Sequence, residues 1–89
     1  MIWRVEFDDR ARKELRRLDR QAQANILRYL RDRICTPEDP RRFGDPLRKN
    51  MSGFWKYRTG PYRIICDIQE CVVTVRIVRI GHRKNIYTT

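Results

Sequence analysis

Three strand-like segments follow one another between residues 54 and 80, and they leave this chain few architectures. Residues 54–59 alternate, with Trp55 and Tyr57 on one side and Lys56 and Arg58 on the other. Gly60-Pro61 is a turn signal, residues 62–68 form a second strand, and Gln69-Glu70 makes a tight turn. Residues 72–80 are rich in β-branched side chains and read as a third strand, after which Gly81 releases the chain into a tail. Strands joined so closely form a meander, and a meander has to hide one face.

Only the first half can supply the cover. Residues 10–18 carry Ala11, Leu15 and Leu18 at helical spacing. Residues 21–34 repeat the pattern with Ala22, Ile26, Leu27, Leu30 and Ile34. Asp19 and Arg20 interrupt the two helices, which predicts an antiparallel pair. Ahead of them, residues 2–7 alternate as a half-buried strand with Trp3, Val5 and Phe7 inward. Asp8 and Asp9 end that strand and offer an N-cap. Residues 36–45, with Pro37, Pro40 and Gly44, are a loop, and residues 47–53 continue irregularly. The expectation is one α+β domain over residues 1–89, ordered β-α-α-β-β-β, with an antiparallel sheet and the helical pair packed on one face. The other face is left to carry function.

Charge says what that face would meet. The chain of 89 residues has a formal net charge of +10. Up to Pro46 there are 12 basic and 9 acidic residues; from Leu47 onward there are 9 basic residues against Asp67 and Glu70 alone. Such a balance speaks to partners, nucleic acid or an acidic protein, rather than to fold. No apolar run is long enough to span a membrane, and no Trp/Phe/Leu stripe suits a membrane surface. Met1 leads directly into a strand-like segment, so no secretory leader is expected. The odd set Cys35, Cys66 and Cys71, with no CxxC pair, argues for reduced thiols in a cytoplasmic protein.

Lys56 and Arg58 lie two apart on one strand and point the same way, and Arg63 on the next strand can approach them. Arg83 and Tyr87 follow past the last strand. Guanidinium, ammonium and phenol groups can donate hydrogen bonds to phosphate oxygens and favour the charge that develops in phosphoryl transfer. His82 is the lone histidine, which leaves neither a histidine pair nor a multi-histidine metal site, and Asp67 and Glu70 are too few for a two-metal nuclease. A nuclease built this way uses no metal and no cofactor, and takes the 2′-hydroxyl of RNA as its nucleophile. Each residue also has an ordinary reading. Lys56 and Arg58 can be the wet side of a strand, Arg63 a partner for Asp67, His82 a turn residue and Tyr87 an anchor for the tail. Spacing alone reaches a basic α+β domain that binds nucleic acid.

The run Phe54-Trp55-Lys56-Tyr57-Arg58-Thr59-Gly60-Pro61-Tyr62-Arg63 resembles the RelE/ParE toxin superfamily. So do Val78-Arg79-Ile80-Gly81-His82-Arg83-Lys84-Asn85-Ile86-Tyr87 and the segment of residues 9–18. The resemblance covers nearly the whole chain in the right order. It implies the toxin of a type II toxin–antitoxin system, a RelE-like endoribonuclease that cuts mRNA in the A site of the 70S ribosome. It also implies a complex with an acidic, RelB-like antitoxin. Carried over, Lys56 matches the strand lysine, Arg63 the arginine of the following strand, Arg83 the arginine after the glycine, and Tyr87 the tail tyrosine. Arg58 stands where the family often has a second lysine. Arg58, Arg79 and Lys84 are expected to contact RNA. Two candidates remain for the general base: Lys56, crowded by neighbouring cations, and His82, whose imidazole belongs to the type that titrates near neutrality.

Two other functions fit the same sequence. A ParE-like toxin shares the fold and inhibits DNA gyrase without cutting RNA. A plain nucleic-acid-binding module needs only the charge. Substituting Arg83 or Tyr87 separates the three, because only the nuclease loses toxicity while keeping its fold and its ribosome binding.

Overall fold

A computed structural model of the chain describes residues 1–84. The opening strand β1 (Arg4–Phe7) keeps Val5 and Phe7 half-buried and Arg4 and Glu6 exposed. Asp8 then ends it and caps helix α1 (Asp9–Arg17), its carboxylate accepting a 2.8 Å hydrogen bond from the Ala11 N–H. Asp9 in the first turn and Arg16 and Arg17 in the last suit the helix dipole. Asp19 repeats the device for α2 (Arg20–Tyr29), accepting from the Ala22 N–H at 2.7 Å. Leu18 and the capping Asp19, both extended, are the whole connection. Past Tyr29 the helix widens into one π-type turn, Leu30–Ile34, in which the Cys35 N–H reaches back to the Leu30 carbonyl.

The meander is present. β3 (Trp55–Thr59), β4 (Tyr62–Gln69) and β5 (Thr74–His82) pair antiparallel. Gly60 takes φ +59 at the head of the first turn, a conformation that favours glycine. Two features extend the sheet beyond the expectation. A two-residue strand, β2 (Asp45–Pro46), forms where the expected loop ends and pairs with β3. The opening strand joins the far side of β5, and it does so in parallel, Arg4 opposite Thr74 through Phe7 opposite Ile77. The sheet order is therefore β1-β5-β4-β3-β2, antiparallel except for that one pair.

Boundaries move at the second turn and at the end. A 3-10 turn, Glu70–Val72, and a left-handed Val73 (φ +49) replace the tight turn, so Val72 is 51 % exposed and the strand starts at Thr74. At the other end Gly81 and His82 remain in β5, opposite Arg63 and Tyr62. The register between β4 and β5 passes over Val78, opposite the step from Ile65 to Cys66.

The core lies between the helices and one sheet face. Ala11, Leu15, Ile26, Leu30 and Ile34 meet Tyr57, Ile64, Cys66, Val75, Ile77 and Ile80. A fully buried isoleucine contributes roughly 1.5–3 kcal/mol by removal from water. Leu27, expected on the inner stripe, is 46 % exposed instead. Tyr29 packs inward in its stead, its ring centroid 5.9 Å from that of Tyr57. Among the described residues no helix is long and apolar enough to cross a membrane.

A candidate RNA-facing sheet surface

Strand alternation sorts the candidate residues onto two faces. Tyr57, Ile64 and Ile80 form one row across β3, β4 and β5, and they belong to the core under the helices. The neighbouring rows therefore point to the other face. One is Lys56, Ile65 and Arg79; the next is Arg58, Arg63 and Gly81. The Arg83 N–H donates to the Pro61 carbonyl at 2.9 Å, which carries the β4–β5 ladder one step further and sets Arg83 on the same face as Gly81.

The Arg58–Arg63 pair is the unusual element. Two guanidinium groups directly opposite each other across a strand pair destabilise a sheet. Among the described residues no carboxylate forms an ion pair with Arg58, Arg63, Arg83 or Lys84. Arg58, Arg83 and Lys84 are exposed and Arg63 is half-buried. Asp67, weighed as a partner for Arg63, instead accepts from the Gln69 side-chain amide at 3.2 Å. Lys56, half-buried in the adjacent row, joins Arg58 and Arg63 as the strand-borne cations of this surface, with Arg83 just past the end of β5.

Three other candidates stand differently. His82 follows the parity of Ile80, so its ring lies on the helix side of the sheet, edge-on to Tyr62 with centroids 6.1 Å apart. Its Nδ1 accepts from the Lys84 N–H at 3.2 Å. It does not share a face with Lys56, Arg58 and Arg63. Arg79 is already engaged: its Nε donates to both Glu14 carboxylate oxygens, at 3.3 and 3.1 Å, and its side chain is only 18 % exposed. The third, Tyr87, lies outside the described residues.

Among the described residues no group of three or more His, Cys, Asp or Glu side chains is placed to hold a metal ion. A groove of about 260 Å³, lined by Asn25, Arg28, Tyr29, Asp32, Arg33 and Thr59, contains none of the cationic sheet residues. Arg58 and Arg83 stand exposed on the cationic face. Such a surface suits an extended polyanion laid across strands better than a small enclosed ligand.

The thiols and one phenol are structural. Cys66 is buried and burial pushes its thiol up to about 12; Tyr57, likewise raised by burial, donates its hydroxyl to the Pro40 carbonyl at 2.9 Å. Cys35 is half-buried and Cys71 exposed, and all three cysteines are free.

Glu14 is the residue that the sequence reading passed over. It sits on the inner stripe of α1 between Ala11 and Leu15, and it reaches the end of β5 that carries the cationic face. An acidic residue at an inward position was the available signal.

Comparisons with known proteins bear on the family and the fold. The family model described as the ParE toxin of type II toxin–antitoxin system, parDE, matches residues 5–87. Toxin RelG of Mycobacterium tuberculosis is 32 % identical over 87 residues, covering 98 % of this chain and 98 % of that protein. Among solved structures, a chain of the toxin–antitoxin complex RelBE2 from Mycobacterium tuberculosis superposes with a TM-score of 0.84 at 30 % identity, over 93 % of this chain and 100 % of that one. The isolated E. coli RelE toxin shares the fold, with a TM-score of 0.70 at 23 % identity over 90 % of this chain and 83 % of that one.

Proposed function

Since the chain belongs to the RelE/ParE superfamily, toxins of type II toxin–antitoxin systems, we propose that its cationic sheet face is the active site of a ribosome-dependent endoribonuclease that cuts mRNA. The observation that carries this reading is Arg58 set directly opposite Arg63, with no carboxylate among the described residues to pair with either. Such an arrangement costs stability by itself and is relieved by a bridging phosphate.

The chemistry follows from the substrate. A 2′-oxygen attacks the neighbouring phosphorus, and the bond from phosphorus to the 5′-oxygen breaks. The products are a 2′,3′-cyclic phosphate and a 5′-hydroxyl. Lys56 takes the 2′-hydroxyl proton and a solvent water protonates the departing 5′-oxygen; Lys56 shares the face with the arginines, whereas His82 lies on the other side of the sheet. Arg63 and Arg83 hold the non-bridging oxygens, where charge accumulates in the transition state. Arg58 and Lys84 hold flanking phosphates, and Tyr87 orients the reacting sugar or stacks on a base. Arg79 acts through Glu14 in place of a direct RNA contact. The ribosome supplies the strand in a bent, in-line conformation that an open face cannot impose alone, and this places the toxin in the cytoplasm.

The partner is an acidic antitoxin. Its segment folds over the cationic face and denies that face to RNA. The similar RelBE2 chain comes from a toxin–antitoxin complex, which supports this assembly.

A second reading rests on the matching family model, whose description names ParE. A ParE-like gyrase inhibitor would use the same face to bind and not to cut. Primer extension on an mRNA in a reconstituted translation reaction, beside a gyrase supercoiling assay, separates the two. Cuts within A-site codons that vanish when ribosomes are omitted support the nuclease. Intact mRNA with blocked supercoiling makes the chain a gyrase inhibitor.

A further inference from the structure

The outer edge of β5 changes its support partway along. β1 covers it only as far as Ile77, whose carbonyl takes the Asp8 N–H at 2.9 Å. The next residue, Val78, is passed over in the register with β4. Beyond that point β5 has β4 on one side and, among the described residues, no strand on the other, yet this is the stretch that delivers Gly81 and Arg83 to the cationic face.

Glu14 stands where a continued edge strand would be. Its Oε1 accepts the Ile80 N–H at 2.9 Å, and both oxygens hold the Arg79 Nε. The Arg10 Nε approaches the second oxygen at 4.0 Å. The carboxylate is 19 % exposed and Arg79 18 %, so the pair is largely withdrawn from water. A carboxylate in such a place costs desolvation and would leave an uncompensated charge if its partner were lost. An apolar residue would continue the stripe of Ala11, Leu15 and Leu18 without that cost, but it could not accept the Ile80 N–H.

We propose that Glu14 is a positioning residue for the cationic face. It takes the Ile80 N–H as an edge strand would and holds the end of β5 in register, so that Gly81 stays opposite Arg63 and Arg83 stays within reach of the same phosphate. The residue after Ile80 is glycine, the most permissive backbone in the chain, so the placement of Arg83 depends on what holds Ile80. Glu14 touches no substrate; it acts through Ile80 and Arg79. The proposal rests on the reading of this face as an RNA-cleaving site.

The test uses Glu14→Ala and Glu14→Gln in the ribosome-dependent cleavage reaction, with amide hydrogen exchange on the same proteins. Displacement of a positioned group by about 1 Å can cost on the order of 100-fold in rate. Glu14→Ala is expected to lower kcat by about 10- to 100-fold with KM nearly unchanged. Glu14→Gln keeps an acceptor for the Ile80 N–H and recovers most of that loss. Exchange should quicken at residues 80–83 and stay slow at residues 64–66. Normal kcat with undisturbed exchange at Ile80 overturns the proposal. So does lost activity with fast exchange across residues 64–66 in both variants, which would make Glu14 a general support of the fold. If the parent protein leaves mRNA intact, the nuclease reading fails by itself. The exchange pattern then still decides whether Glu14 holds the end of β5.

Discussion

Arg58 and Arg63 face each other at a cost to the fold. Each repels the other across the β3–β4 pair, and no described carboxylate compensates. Replacing Arg63 with methionine keeps the apolar stem and removes the charge. Thermal denaturation of Arg63→Met should give an unchanged or higher Tm, while mRNA cleavage falls by roughly 100- to 1,000-fold, as when an oxyanion donor is removed. A lower Tm with intact cleavage would make Arg63 a packing residue. The buried thiol and phenol give a different signature. Cys66 is raised from its ordinary value to about 12 by burial, and Tyr57 is raised in the same direction by the same cause. A group whose proton is held more tightly in the folded state stabilises the fold below its unfolded value, and that stability is lost as pH rises toward the folded value. Tm should therefore hold up to about pH 9 and fall through the range from 9 to 12. Cys66→Ala should shrink the fall that begins near pH 9, leaving the part due to Cys35, whose thiol burial also raises. At pH 8 a maleimide should label the exposed Cys71 and spare Cys66.

At the scale of elements, the two aspartate caps carry the helical cover. Asp8→Ala or Asp19→Ala removes an acceptor from an N–H at a helix start and should cost about 1 kcal/mol each, read from urea denaturation. Tyr57→Phe should cost on the order of 1–3 kcal/mol, because it strands a buried carbonyl at Pro40. The first cap was legible in the sequence, and so was the meander, since alternation and Gly60-Pro61 write it locally; Asp19 read only as an interruption between the helices. The partner of β1 was not. Alternation at Val5 and Phe7 reports which side is buried, and says nothing of which strand lies alongside or in which direction. Nor was β2, because Asp45 and Pro46 are too few to show a period. His82 was misplaced because the strand was expected to end at Ile80. Two further residues of β5 subject it to strand parity, which turns it to the helix side. Glu14 was hidden by its company, one acid on a helix crowded with charges, although its position between Ala11 and Leu15 set it apart. Leu27 fitted the stripe by spacing, but Tyr29 packs there, beside Tyr57.

At the scale of the molecule, a net charge of +10 makes association depend on salt. Each phosphate neutralised adds about 0.9 to the slope of log affinity against log salt for a duplex and about 0.7 for a single strand. Arg83→Ala should lower that slope for ribosome binding by about one unit, whereas Lys13→Ala, on the outer face of α1, should leave it closer to the parent value. Antitoxin capture should also slow as salt rises, with the change in the association rate and little in dissociation. Equal slopes for the two variants would mean that the charge acts diffusely and not through the sheet face.

The parallel pairing of the first strand with the last carries a consequence of timing. Arg4 and Thr74 are neighbours although 70 residues separate them. During synthesis β1 emerges early and waits without a partner until β5 has been translated and has cleared the exit tunnel. The same delay governs the cationic face, because its rows need β3, β4 and β5 together. The face that the proposed cleavage needs is thus among the last parts of the fold to assemble.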